Sequence, residues 1–257
     1  MRYAMSAAGS ATAAPFDEEA LRRGVRSVRH PLAQALLALT FTTGLVDAVS
    51  YLGLGRVFTA NMTGNVVLLG FGIAGAGGLP VLAPVLSLVS FLLGAGIGGV
   101  LVKRMQHRHP ALVARALGIE VSLIAAAAVL VAATTVRPDN ASAYLVIALM
   151  ASAMGVRNAA VRRIAVPDLT TTVLTMTLTG LAAESPFVGG SGKDSIRRLS
   201  AVLVMLAGAL AGALLLKTSL VMPLALAAGL AAATALLYVP AAIRLGRSPT
   251  RTAKAHN

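Results

Sequence analysis

Asp47, Asn61, Thr63 and Asn65 are the residues of this chain best suited to hold a ligand, since each places a carboxylate, amide or hydroxyl in an otherwise apolar stretch. Asn158, on a later apolar stretch, offers one more amide. An ionisable group within hydrocarbon costs at least ~2.5–3.5 kcal/mol, so it usually faces a protein interior and finds a partner. The sequence leaves three roles open for Asp47: coupling to a proton or cation, an interfacial carboxylate beside Arg56, or a structural pair with Arg157. The amides and Thr63 are open between ligand binding and hydrogen bonding across helices, worth ~0.6 kcal/mol each. Glu120, five residues from Arg115, reads as a pair snorkelling to the inner surface, and Glu184 beside Pro186 as an exposed helix end.

Covalent chemistry has little to work with. The chain lacks Cys, which removes thiolate metal sites and Cys nucleophiles. His30, His107, His109 and His256 all fall outside the apolar segments, and no serine-elbow or zinc-helix motif occurs. The Gly189-Gly-Ser-Gly-Lys193 run has Phe187 where a phosphate loop needs its first glycine. We therefore expect no catalytic residues, no metal and no cofactor.

The elements that must position these groups are membrane helices. Of 257 residues, 57% are hydrophobic and only 12% charged, with mean hydropathy +0.81. A soluble domain carries about a quarter charged residues. The charges collect in two tails and short clusters, between apolar segments at about 32–53, 57–78, 80–102, 112–135, 141–161, 168–186, 199–217 and 220–243. Segments near twenty residues suit a bilayer core of ~30 Å. The expected fold is an all-α polytopic membrane protein with six to eight crossings. Residues 1–31 read as a polar, disordered tail and 244–257 as a basic one. The net charge of +13 fits lipid headgroups. Nucleic acid is not expected, because no stacking aromatics interleave the basic residues.

The segments repeat. Gly44-Leu-Val-Asp47-Ala48 matches Gly155-Val-Arg-Asn158-Ala159, and Gly94, Gly98 and Lys103 match Gly208, Gly212 and Lys217. A Thr-rich stretch, Thr170 to Thr179, stands opposite Phe58 to Asn65. Two pseudo-symmetric four-segment repeats, 32–136 and 141–243, are the expected organisation. The four paired glycines are expected to let helix backbones pack closely. Basic residues decide the orientation, because cytoplasmic loops collect them. Eight crossings put 13 of the 22 Lys and Arg inside, whereas six, with segments 2 and 6 entering without crossing, put 19 there. Six crossings arranged three plus three give inverted halves, with both termini cytoplasmic in a plasma-membrane protein.

The stretch from Gly44 through Asp47, Phe58, Asn61-Met62-Thr63-Gly64-Asn65 to Gly70 resembles the signature of the YoaK-like family of bacterial membrane proteins. The resemblance runs loosely over residues 32–243 and implies a helical membrane protein of a family of unknown function. It names no substrate and no catalytic residue. The residues themselves favour a secondary transporter or permease for a small molecule or ion, since polar interrupted helices at a repeat interface often bind substrate. A non-transporting scaffold or lipid-interacting protein is the alternative. The chain has no native thiol, so cysteines introduced singly at positions 56 and 79 should react with an impermeant maleimide from the same side of the membrane. Labelling from opposite sides would restore eight crossings.

Overall fold

A computed structural model describes residues 31–105, 109–164, 174–192 and 194–246. The expectations for most of both tails, His30, His107, His256, Lys193 and Thr170 to Thr172 lie outside these residues. The described chain is helical: α1 (Pro31–Ala48, prolonged by a wider turn at Val49–Gly53), α2 (Met62–Ile73), α3 (Leu82–Arg104), α4 (His109–Ala133), α5 (Ala141–Ile164), α6 (Leu174–Ala183), α7 (Ser195–Leu216) and α8 (Val221–Gly246).

Six of these eight helices, α1, α3, α4, α5, α7 and α8, are long and apolar enough to cross a membrane. Helices α2 and α6 have 12 and 10 residues. At ~1.5 Å per residue they reach only about 18 and 15 Å, short of the hydrocarbon core. The second apolar segment is therefore broken: residues 57–61 form a loop, and Gly75, Gly77 and Gly78 turn the chain with φ of 70°, 65° and 60°. Left-handed backbone of this kind is readily adopted only by glycine.

Side-chain clusters give the helix directions. At one end, Leu45, Val49 and Leu54 of α1 and the turn after it share a core with Ile124 of α4, Ile147 of α5 and Leu224 of α8. At the other, Leu36 and Leu39 of α1 meet Val113, Val161, Ala201 and Tyr238. Helices α1, α4 and α7 thus run one way, and α3, α5 and α8 the other. Lys103, Arg104, Arg162 and Arg163 gather at the second end.

Glycines set the two tightest crossings. A Cβ on Gly94 of α3 would collide with the Ser152 carbonyl of α5, and one on Gly155 with that of Phe91. On Gly98 it would lie 2.7 Å from the Ala159 methyl. The α1–α7 crossing has the same form: Gly208 lies against the Phe41 carbonyl, Gly44 against that of Met205, and a Cβ on Gly212 would sit 2.7 Å from the Ala48 methyl. Gly96, one helical step away, has nothing within 4 Å.

Accordingly, Gly94→Ala should lower stability by about 1–3 kcal/mol, as overpacking does. Gly96→Ala should be neutral or raise it by up to ~1 kcal/mol through helix propensity. Thermal unfolding of both variants in detergent checks the pair, and equal midpoints would refute the close crossing.

Candidate functional site

The Phe58–Asn65 stretch builds the site from its own residues. Asn61 caps α2, its Oδ1 accepting from the Gly64 N–H at 3.2 Å. Such a cap satisfies one of the amides that a helix start leaves without partners. Asn65 is fully buried and reaches back to Phe58: its Oδ1 accepts from the Phe58 N–H at 2.9 Å, and its Nδ2 donates to the Phe58 carbonyl at 2.6 Å. Ser87 of α3 closes this clasp, donating to the same carbonyl at 2.7 Å and accepting from Asn65 at 3.1 Å. The Phe58 ring lies against Gly64, where a Cβ would come within 2.8 Å of Cδ2. The odd sequence Asn-Met-Thr-Gly-Asn is thus a capped helix start clasped to the loop before it, with Asn65 buried and Asn61 and Thr63 exposed.

Asp47 anchors that loop to α1. Its Oδ1 accepts from the backbone N–H of Ala60 at 2.9 Å and of Thr59 at 3.3 Å, and the residue is only 7% exposed. Asp47 is therefore not paired with Arg56, which is exposed, and it forms no ion pair among the described residues.

Arg157 has a different partner. Its Nη1 lies 2.9 Å from Glu120 Oε1, and the two side chains are 1% and 0% exposed. The same guanidinium donates to Thr42 Oγ1 at 3.0 Å, to the Leu39 carbonyl at 3.3 Å and to Thr43 Oγ1 at 2.5 Å. Both threonines spend their own proton on the Leu39 carbonyl, which leaves their lone pairs facing Arg157. The expected Glu120–Arg115 pair at the surface does not form: Glu120 turns inward because a buried guanidinium on α5 compensates its charge. Arg157 likewise belongs to the core rather than to a basic loop, so it leaves the inside tally of the charge count.

At the α6–α7 turn, Arg198 pairs with Glu184 at 2.8 Å and donates to the Gly180 carbonyl at 2.7 Å. A cation there suits the negative end of α6. Thr175 lies at the start of α6, whereas Thr177 is buried and Thr179 turns outward.

Two cavities flank the broken segment. One, of about 560 Å³, lies between α1, α2, α6 and α7 and is lined by Thr43, Asp47, Asn61, Thr63 and Thr175 among others. The second, of about 540 Å³, lies between α2, α3 and α5 and is lined by Asn61, Thr63, Asn158 and Arg162 among others. Ala60, Asn61 and Thr63 line both. Of the five candidate ligand residues, Asp47, Asn61 and Thr63 share the first cavity, and Asn158 joins Asn61 and Thr63 in the second. Asn65 stands apart, consumed by its clasp. Sequence reasoning passed over Tyr51 and Phe58, which line the first cavity and stack with ring centroids 4.9 Å apart. The available signal was their placement on either side of a Gly-rich turn, next to Asp47.

A family model described as "Protein of unknown function (DUF1275)" matches residues 35–237. The chain belongs to that family. It is also similar to the UPF0700 transmembrane protein YoaK of Bacillus subtilis strain 168, with 34% identity over 150 residues. The matched region spans 58% of this chain and 65% of that relative. No solved structure matches. Like that relative, this DUF1275 protein is a multi-pass membrane protein, whose helices meet lipid along their exposed apolar faces.

Removing one member of a buried ion pair strands the other, which typically costs 3–5 kcal/mol, whereas an apolar replacement of both is close to neutral. Glu120→Leu and Arg157→Met should each destabilise the protein by about that amount, and the double variant by much less. A thermal-unfolding cycle measures the coupling, and additive losses would show that the pair is not a unit.

Proposed function

We propose that this protein is a small carrier or permease of the plasma membrane, moving a small molecule or ion past the broken α2 segment. The observation that carries this reading is the meeting of the two cavities at Ala60, Asn61 and Thr63. Cavities of this size suit small molecules, and a modest shift of the 58–63 stretch would join them. In this reading the chain performs no covalent chemistry, and transport runs on a gradient.

The proposed architecture is a pair of inverted repeats, α1–α4 and α5–α8, with both termini cytoplasmic. The two glycine crossings support it, because the contacts of α1 with α7 recur between α5 and α3 at matching sequence positions. The opposed directions of the two halves and the gathering of basic residues at one end support it as well. Helices α2 and α6 would then be counterparts that enter from opposite faces, and Thr63 and Thr175, near their starts, line one cavity.

A second reading, a non-transporting scaffold, draws on Asn65 and Arg157, whose polar atoms are spent on holding helices together.

Proteoliposomes separate the two. Under the carrier reading a solute or ion flux appears and falls at least tenfold in Asn61→Ala, which still folds because loss of a cap costs only about 0.5–2 kcal/mol. Absence of flux across cationic, anionic and neutral solutes from a well-folded sample would favour the scaffold.

A further inference from the structure

The cavity beside Asp47 has a specific chemical character. Among the described residues five buried side chains carry formal charge: Asp47, Glu120, Arg157, Arg197 and Arg198. The Arg157 guanidinium is engaged by Glu120 and the threonines of α1, and Arg197 and Arg198 pair with Asp194 and Glu184. Asp47 is left with backbone amides and no cation. Hydrogen bonds from N–H groups stabilise a carboxylate without cancelling its charge. Among the described residues the Asp47 carboxylate therefore stands without an ion-paired cation, at the wall of a cavity of about 560 Å³.

The opposite character of the remaining walls narrows the ligand. Tyr51 and Phe58 are stacked with an interplanar angle of 21° and line the same cavity. The chain has only 10 aromatic residues and no Trp, so an aromatic pair beside a carboxylate with no ion-pair partner among the described residues is distinctive. Aromatic faces attract cations through their quadrupole, more strongly where water is excluded. Val67, Leu68 and Met205 complete an apolar wall. A hydrated metal ion gains nothing from such walls, and an anion would be repelled by Asp47.

We propose that this cavity binds an organic ammonium cation, with Asp47 as counter-ion and the Tyr51–Phe58 pair as the aromatic wall. This deepens the carrier reading, on which it rests, by naming the charge and shape of what is carried.

The test uses the full chain in lipid nanodiscs and equilibrium binding of radiolabelled benzyltrimethylammonium. Saturable binding is expected, displaced by unlabelled cation but not by phenylacetate or benzyl alcohol. Asp47→Asn keeps an oxygen to accept from Ala60 and removes the charge, and should weaken binding at least tenfold. Tyr51→Leu should weaken it about fivefold, the scale of a partly buried cation–aromatic contact. No saturable binding to the wild-type protein, or equal displacement by phenylacetate, would overturn the proposal without any variant needing to fold. An unchanged affinity in folded Asp47→Asn would overturn it too. Flux of another solute without cation binding would sink this site and spare the carrier. Asp47-dependent binding with no flux of the same cation in proteoliposomes would support the site while ending the carrier reading.

Discussion

A guanidinium buried among apolar helices is the constraint around which this bundle is arranged. Arg157 is 1% exposed, and its charge is tolerable only because Glu120 of α4 and the two threonines of α1 surround it. Desolvating such a pair costs several kcal/mol per ion, and the cost is recovered only where the geometry is close and the remaining donors are satisfied. The pair therefore dictates which faces of α1, α4 and α5 must meet. It also commits the Arg157 guanidinium to Glu120, so that Asp47 forms no ion pair with it.

What Arg157 leaves undone, the backbone of the 58–61 loop does. Asp47 takes the amides of Thr59 and Ala60, Asn61 takes that of Gly64, and Asn65 takes both the N–H and the carbonyl of Phe58. Irregular backbone at membrane depth is tolerated only where protein or water satisfies its polar groups. Three side chains meet that demand, Asn61 and Asn65 from the stretch itself and Asp47 from α1, with Ser87 as the contribution from α3. The loop can then hold its place between two cavities without filling either.

Close helix approach makes room for this arrangement. Where Gly94 meets Ser152 and Gly208 meets Phe41, backbones touch with no side chain between them. Packing of that kind replaces the hydrophobic drive that is missing between helices in lipid. It holds α3 to α5 and α1 to α7 closely, the four long helices beside which the short ones stop partway and leave space at their starts.

Membrane character, the approximate spans and the broken second segment were legible in the sequence, because hydropathy over twenty residues and a Gly-Asn cluster are local properties that each stretch carries by itself. The burial of Asp47 was one of the three roles the sequence left open for it, and its partners, the backbone amides of Thr59 and Ala60, were in none of them. Pairing was not legible. Glu120 and Arg157 lie 37 positions apart on different helices, and nothing near either one announces the other; the nearby Arg115 was the better local match. Asn61 and Asn65, four residues apart, look alike in sequence, yet one caps a helix at the rim of two cavities and the other is locked to Phe58, a division set by helical phase and by Ser87 arriving from α3. Composition and periodicity determine what each segment must avoid, namely unpaired polar groups in lipid. Only the tertiary structure decides which partner relieves each one, since that choice depends on distances between helices that no single helix encodes.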